Sequence, residues 1–345
     1  MKTRIVICVT LIVAVLAIAN LFAGQAQKAS RAEPPQVVNQ SAQTWPELQM
    51  QPPKLDAGAH LNPMKIALLK WYLVNQTTRF PVGNQPYGVC FDGANIWTAN
   101  FGGGTVTKLR ASDGQVLGTF QAGSEPFGVT FDGANIWVSN VGDGTVDKLR
   151  ASDGKNLGIF QLNIPATWMA FDGGNLWVPN GASAVTKLRA SDGTNQGTFT
   201  VGNGPIAAAS DGTSIWVTNT GDGTVTKLLA SNGKNLGTFN VGSRPTGIAF
   251  DGANIWTANR GDGTVSKLRA SDGVLLGTFN APVSPYGIAF DGENIWVSGA
   301  QVNVLRASDG DSLGFFSPNT NTTGVAFDGV NVWIAGQNIN AIGKL

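Results

Sequence analysis

The stretch "FDGANIWTANFGGGTVTKLRASDGQVLGTF", Phe91 to Phe120, decides the fold. Its opening, "FDGANIW", returns verbatim at Phe131 and Phe250, and with one change at Phe290. The Asp of each such "DG" falls at Asp92, Asp132, Asp172, Asp211, Asp251, Asp291 and Asp328. Five residues after each stands a tryptophan: Trp97, Trp137, Trp177, Trp216, Trp256, Trp296 and Trp333. A unit of about 40 residues written seven times marks a repeat architecture, in which no unit buries its apolar residues alone.

Each unit reads as four short strands. "PYGVCF" leads through "DGAN" to "IWTAN", then "GTVTKLRAS", a second "DG" turn and "QVLGTF". Asp-Gly between apolar runs is a strong hairpin signal, because glycine takes the positive φ these turns need. The glycines, 45 in all, are phased with the repeat, as turn residues should be. Ile96 and Trp97 are adjacent and therefore point to opposite faces of their strand. A sheet apolar on both faces must be covered on both, as when blades stack around an axis. The pattern predicts an all-β chain: a seven-bladed β-propeller of four-stranded antiparallel blades.

The ends of the chain predict how the ring closes. The last unit stops at "IGKL", so Leu345 ends a third strand and no fourth follows. Ahead of the first unit, "VNQTTRFPVG" (Val74 to Gly83) aligns with "TNQGTFTVG" (Thr194 to Gly202), a fourth strand elsewhere. An N-terminal strand is thus expected to complete the seventh blade and hide the sheet edges. The propeller is assigned to residues 74–345.

Residues 1–26 read as an export signal, with Lys2 and Arg4 ahead of an apolar run from Ile5 to Ala19. Uncleaved, the same segment would be an N-terminal membrane anchor. Residues 27–63 form a Pro/Gln-rich linker, and residues 64–73 a short helix with Ile66, Leu69 and Leu73 at helical spacing. The expected location is periplasmic or extracellular. Cys8 lies in the signal, which leaves Cys90 alone and unable to form an internal disulfide. Loss of Lys2 and Arg4 takes the net charge from +1 to −1, the wrong balance for a nucleic-acid partner.

What recurs in every copy is expected to be scaffold. The seven tryptophans read as blade-to-blade packing. The recurring "TKLR" (Lys108 and Arg110, Lys148 and Arg150, Lys187 and Arg189, Lys267 and Arg269) reads as buried stems with solvated heads. Specificity should then sit where copies differ, in the loops that share one face. Those loops place Gln85, Tyr87, Glu125, Phe127, Trp168, Arg244 and Tyr286 beside the first strands, and Phe101 and Arg260 after the second. Aromatics and two arginines around a channel mouth make a candidate ligand-binding rim of surface residues. No catalytic set, cofactor or metal is expected. The single histidine, His60, lies in the linker, so no Ser-His-Asp or His/Cys cluster can be built in the blades. The "GDGT" loops with Asp143, Asp222 and Asp262 lack the alternating oxygen ligands of a calcium loop.

Units of the form "VGxxPxGxxFDGxNIWVxNxGxGTVxKL", over residues 80–345, resemble the bacterial YVTN-type, YncE-like β-propellers. Streptogramin lyases are similar seven-bladed propellers, and that family uses histidines and an acidic residue with bound magnesium. With no histidine in these blades, the resemblance does not carry that activity over. The reading is an exported, non-catalytic propeller that binds a protein, glycan or cell-envelope component through its variable loop face. Two alternatives stand beside it. One is a streptogramin-lyase-like or carboxylate-dependent enzyme. The other is single-stranded nucleic-acid binding of the YncE-like type, which the charge of −1 opposes.

Overall fold

The computed structural model describes residues 78–281, 284–316 and 321–345. The predicted signal, linker and helix lie outside these residues, as do Val74 to Thr77.

Local structure begins with the "DG" aspartates. Asp92 Oδ1 accepts from the backbone N–H groups of Ala94 and Asn95, and its Oδ2 accepts from the Trp97 indole N–H at 2.7 Å. The same bond joins Asp251 to Trp256 and Asp328 to Trp333, each at 2.7 Å. The aspartate therefore closes its turn and satisfies the one polar atom of a buried indole. In Asp251, burial works to raise the carboxyl pKa, but the donors from Trp256, Asn254 and the turn backbone outweigh it and hold the pKa low. Such a group stabilises the fold above the ordinary carboxylate range, and that stability is lost as the pH falls.

The strands assemble into seven four-stranded antiparallel sheets. Blade 1 comprises Pro86–Phe91, Asn95–Asn100, Thr105–Arg110 and Val116–Gln121, as the repeat predicts. Blade 7 comprises Thr322–Phe327, Val332–Gly336 and Ala341–Lys344, and its outer strand is Thr78–Pro81 from the other end of the chain. Thr78 pairs with Lys344 and Pro81 with Ala341, so the ring is closed by an N-terminal strand. Phe80 packs on Trp333 with ring centroids 5.5 Å apart, as Phe120 packs on Trp97. Its ring also lies on Gly114 of blade 1, where φ is +73° and a Cβ would strike the ring.

The core lies between blades. Six of the repeat tryptophans are fully buried, and each interface adds aliphatic residues such as Ile136, Val138 and Leu149 against Trp97. First strands crowd the axis. Gly247 donates to the Tyr286 carbonyl of blade 6 at 2.8 Å, leaving no room for a side chain. The same crowding falls on Gly88, Gly128 and Gly287, each two residues after a loop proline, whereas blades 3 and 4 carry Thr167 and Ala207 at that position.

One expectation is overturned here. The third-strand lysines do not present solvated heads. Lys108 is buried, and its Nζ donates to the Ala151 and Ser152 carbonyls of blade 2 at 2.6 and 3.1 Å. It also lies 5.2 Å from the ring centre of its own Trp97. Lys148, Lys187, Lys227 and Lys267 repeat the arrangement on the following blade, and Lys344 closes it from blade 7 onto Ala111 and Ser112 of blade 1. Two carbonyls and an aromatic face replace the water each ammonium gives up. The neighbouring arginines do stay half-exposed, paired to the aspartate three residues on, as Arg110 is to Asp113 at 3.0 Å.

Blade 6 has Val304 opposite Trp296, where other blades have lysine. The reason lies across the interface. Blade 7 takes its fourth strand from the N-terminal side, so it has no turn between third and fourth strands to supply the two carbonyls. An ammonium there would be buried without acceptors. Replacing Lys227 by Met should cost about 2–4 kcal/mol, since the buried Ala270 carbonyl and the half-buried Ser271 carbonyl lose a charged donor. Val304→Lys should also destabilise rather than add a seventh link. Urea denaturation of both variants checks this; a stabilised Val304→Lys protein would refute the explanation.

A second departure from the repeat is Asp147. Blades 1, 3 and 4 place threonines there, each within 3.4 Å of a threonine hydroxyl on the outer strand. Asp147 instead faces Ile159, is 1% exposed, and closes no hydrogen bond with either carboxylate oxygen. Burial, aided by the charge of Asp143 and opposed by the nearby Gly123 N–H and Asn140 amide, pushes its carboxyl from 3.8 up to about 6. Because the folded value is the higher one, this carboxyl favours folding below pH 4, and the contribution is lost as the pH rises to about 6. Asp147→Thr should therefore gain about 2–3 kcal/mol at pH 8 and little at pH 4. Thermal melts at the two pH values would show the difference, and an equal gain at both would contradict it.

Candidate functional site

Each blade presents two loops to one face, and in blades 1, 2, 4, 5 and 7 a backbone hydrogen bond laces them. Phe101 N–H donates to Gln85 O at 2.9 Å, Val141 to Glu125 O at 3.1 Å, and Arg260 to Arg244 O at 3.1 Å. Outside blade 3, where Asn163 two residues before Pro165 does so instead, the residue before the loop proline takes a left-handed backbone: Gln85, Glu125 and Arg244 have φ of 52–53°, and Ser284 has 59°. Blade 4 places Gly204 there, at φ 66°. That conformation is sterically unfavourable for bulky residues and free for glycine. The "GDGT" aspartates brace the same loops. Asp143, Asp222 and Asp262 accept from the backbone N–H of Ser124, Asn203 and Ser243 at 2.6–2.8 Å.

Six of the nine rim residues predicted from the sequence come together. Tyr87 packs against Phe101 and Phe127, with ring centroids 5.2 and 5.0 Å away. Phe127 meets Trp168 at 4.8 Å, and Trp168 meets Tyr286 edge-on at 5.1 Å. Tyr286 returns to Tyr87 at 6.1 Å, and the Arg260 guanidinium lies 5.3 Å from the Tyr286 ring centre. These rings come from blades 1, 2, 3 and 6, so the cluster spans the axis of the ring. Gln85, Glu125 and Arg244 stand outside it, exposed on the loop tips.

The cluster is deeper than a surface rim. Tyr87 is 4% and Phe127 8% exposed, which corrects the expectation that they are surface residues. They follow the loop prolines on first strands, whose side chains fill the channel. Phe101, Trp168, Tyr286 and Arg260 remain half-exposed. Burial raises the Tyr87 phenol pKa and, with Tyr87 beside it, raises that of Tyr286 well above the usual range. Both hydroxyls are therefore neutral donors at physiological pH. Below the rings the first strands line an open pocket of about 140 Å³, bordered by Trp168, Met169, Ala208, Ile248, Ile288 and Val325.

One further member, and the backbone brace of Trp168, escaped sequence reasoning. Gln337 donates to the Tyr87 hydroxyl at 3.2 Å. It occupies in blade 7 the position of Phe101 and Arg260, with its N–H on Asn321 O, so aligning all seven units would have found it. Trp168 N–H donates to Ile206 O, and Ala208 N–H to Trp168 O, both at 3.1 Å. This parallel bridge to blade 4 holds the indole in the channel.

Fold and face together define a seven-bladed β-propeller with an aromatic floor to its loop face. No family model matches the chain, and no curated protein matches its sequence. Solved structures do match the fold. A streptogramin B lyase is 18% identical with a TM-score of 0.66, covering 78% of this chain and 96% of its own. A catalytically inactive histidine-to-alanine variant of virginiamycin B lyase from Staphylococcus aureus, with quinupristin, is 18% identical at a TM-score of 0.68, covering 78% and 98%. Hydrazine synthase of Kuenenia stuttgartiensis is 15% identical at 0.66, covering 76% and 95%. At these identities the likeness is one of fold.

Proposed function

We propose that this protein is an exported binding propeller, without catalysis of its own, whose loop face recognises a protein, glycan or cell-envelope component. The observation that carries the reading is the convergence of Phe101, Trp168, Tyr286 and Arg260, half-exposed, over a packed aromatic floor. Aromatic and arginine side chains on a rigid support are the usual anchors of binding faces. The left-handed loop residues support it further. Blade 4 accepts glycine at that position, yet Gln85, Glu125 and Arg244 keep bulky polar side chains there at a conformational cost. The lyase alternative draws on the solved neighbours, one of which lost activity with a histidine. This chain's only histidine, His60, lies outside the blades.

The test is capture from an envelope extract by the wild-type protein, a rim variant (Phe101→Ala with Trp168→Ala) and an opposite-face variant (Val330→Ala). The rim variant should lose capture by tenfold or more, and the opposite-face variant should keep it. The reverse pattern would place recognition on the other face.

A further inference from the structure

The described arginines of the third strands and of the loop face fall into two kinds. Arg110, Arg150, Arg189, Arg269 and Arg306 each hold an aspartate three residues on, at 2.7–3.5 Å. Arg244 and Arg260 hold none, and among the described residues they are the only cations on the loop face. The nearest acid in sequence, Asp262, has one oxygen on Ser243 N–H at 2.7 Å and the other on the Thr264 hydroxyl at 2.7 Å. The two arginines are adjacent, since the Arg260 N–H donates to Arg244 O. The Arg260 guanidinium lies over the Tyr286 ring, 5.3 Å from its centre, and among the described residues it closes no hydrogen bond or ion pair. Tyr286 continues edge-on to Trp168.

From this arrangement we infer that the loop face takes an oxyanion, a carboxylate or phosphate, carried on a ring with an apolar face. The inference rests on the reading of this face as the binding face. A guanidinium with free donors pairs two of them with two oxygens of a carboxylate or phosphate. A half-exposed indole and phenol beside it offer flat apolar faces to the ring that bears the anion. Arg244 supplies a second positive charge at the loop tip. It holds that place in a left-handed conformation that glycine occupies without strain in blade 4. A neutral ring would leave both arginines unanswered, and a free anion would leave the aromatic faces bare.

The experiment titrates the full chain with glucuronate, glucose 6-phosphate, benzoate and phenyl phosphate. Glucose and benzyl alcohol serve as neutral rings, and acetate and inorganic phosphate as free anions. Binding is read by calorimetry and by Trp168 fluorescence, with Trp168→Phe as the reference. At least one anionic ring should bind ten times or more tighter than its neutral and ringless counterparts, and the carboxylate and phosphate arms decide which oxyanion is preferred. Arg260→Gln should remove most of that difference. Arg244→Gly should weaken the same probe while its melting temperature holds or rises, which separates lost recognition from lost folding. Absence of binding by every anionic ring at tens of millimolar would overturn the inference, as would an unchanged affinity in both arginine variants. Neutral rings that quench Trp168 as well as anionic ones do would overturn it too, while leaving the binding-face reading intact. Anionic binding that spares Trp168 and both arginines would remove that reading as well.

Discussion

Trp256→Ala should lower stability by about 3–5 kcal/mol, the range for a large aromatic removed from a core. The indole is fully buried, and its loss reaches three neighbours at once. Asp251 loses the donor on its Oδ2 at 2.7 Å, Lys267 loses the ring 5.0 Å from its Nζ, and Phe279 loses its partner at 5.7 Å. For a domain of this size the melting temperature should fall on the order of 10 °C. Loop-face binding in the surviving folded protein should be unchanged. A variant of normal stability that had lost binding would make this tryptophan part of a site and not of the scaffold.

Removal of the chain through Pro81 should have a still larger effect. It strips the outer strand from blade 7, takes Phe80 off Trp333 and Gly114, and exposes the edge of Ala341–Lys344. Burial lost from the partly buried Phe80 alone is worth about 1–2 kcal/mol, the four backbone pairings of its strand go with it, and the open edge adds a tendency to associate. The shortened protein should melt far lower and should aggregate, whereas a chain starting near Pro63 should behave as the whole. Equal melting curves for the two would mean that closure by this strand contributes nothing.

The fold was legible because its rules are local and repeated. An Asp-Gly turn, a tryptophan five residues on and a strand period can each be read from one unit, and Phe80 could be aligned with the phenylalanine of other fourth strands. What could not be read were partners supplied by the next unit. Lys108 and Arg110 stand two residues apart in a strand and look alike in sequence. Only the stacking of blades sends the lysine onto Ala151 and Ser152 and leaves the arginine on its own turn. Val304 was a visible break in the lysine series, but its reason is the turn that blade 7 lacks. The site was legible in membership and not in depth. Sequence variation named Tyr87, Phe101, Phe127, Trp168, Arg260 and Tyr286, which do meet. Their burial depends on the channel radius, which no single unit encodes. Gln85, Glu125 and Arg244 were named by the same variation, yet they stay apart on loop tips, because a left-handed residue before proline points outward.

The central claim is that the repeats build a scaffold and the varied loops recognise a ligand. Site-specific photo-crosslinking in the producing cells tests it most directly. A photoreactive phenylalanine is placed at Phe101, half-exposed on the loop face, and in a second protein at Val330, 84% exposed on a turn of the opposite face. The account predicts a discrete crosslinked product from position 101 that Arg260→Gln diminishes, and none from position 330. A product from position 330 alone would contradict it.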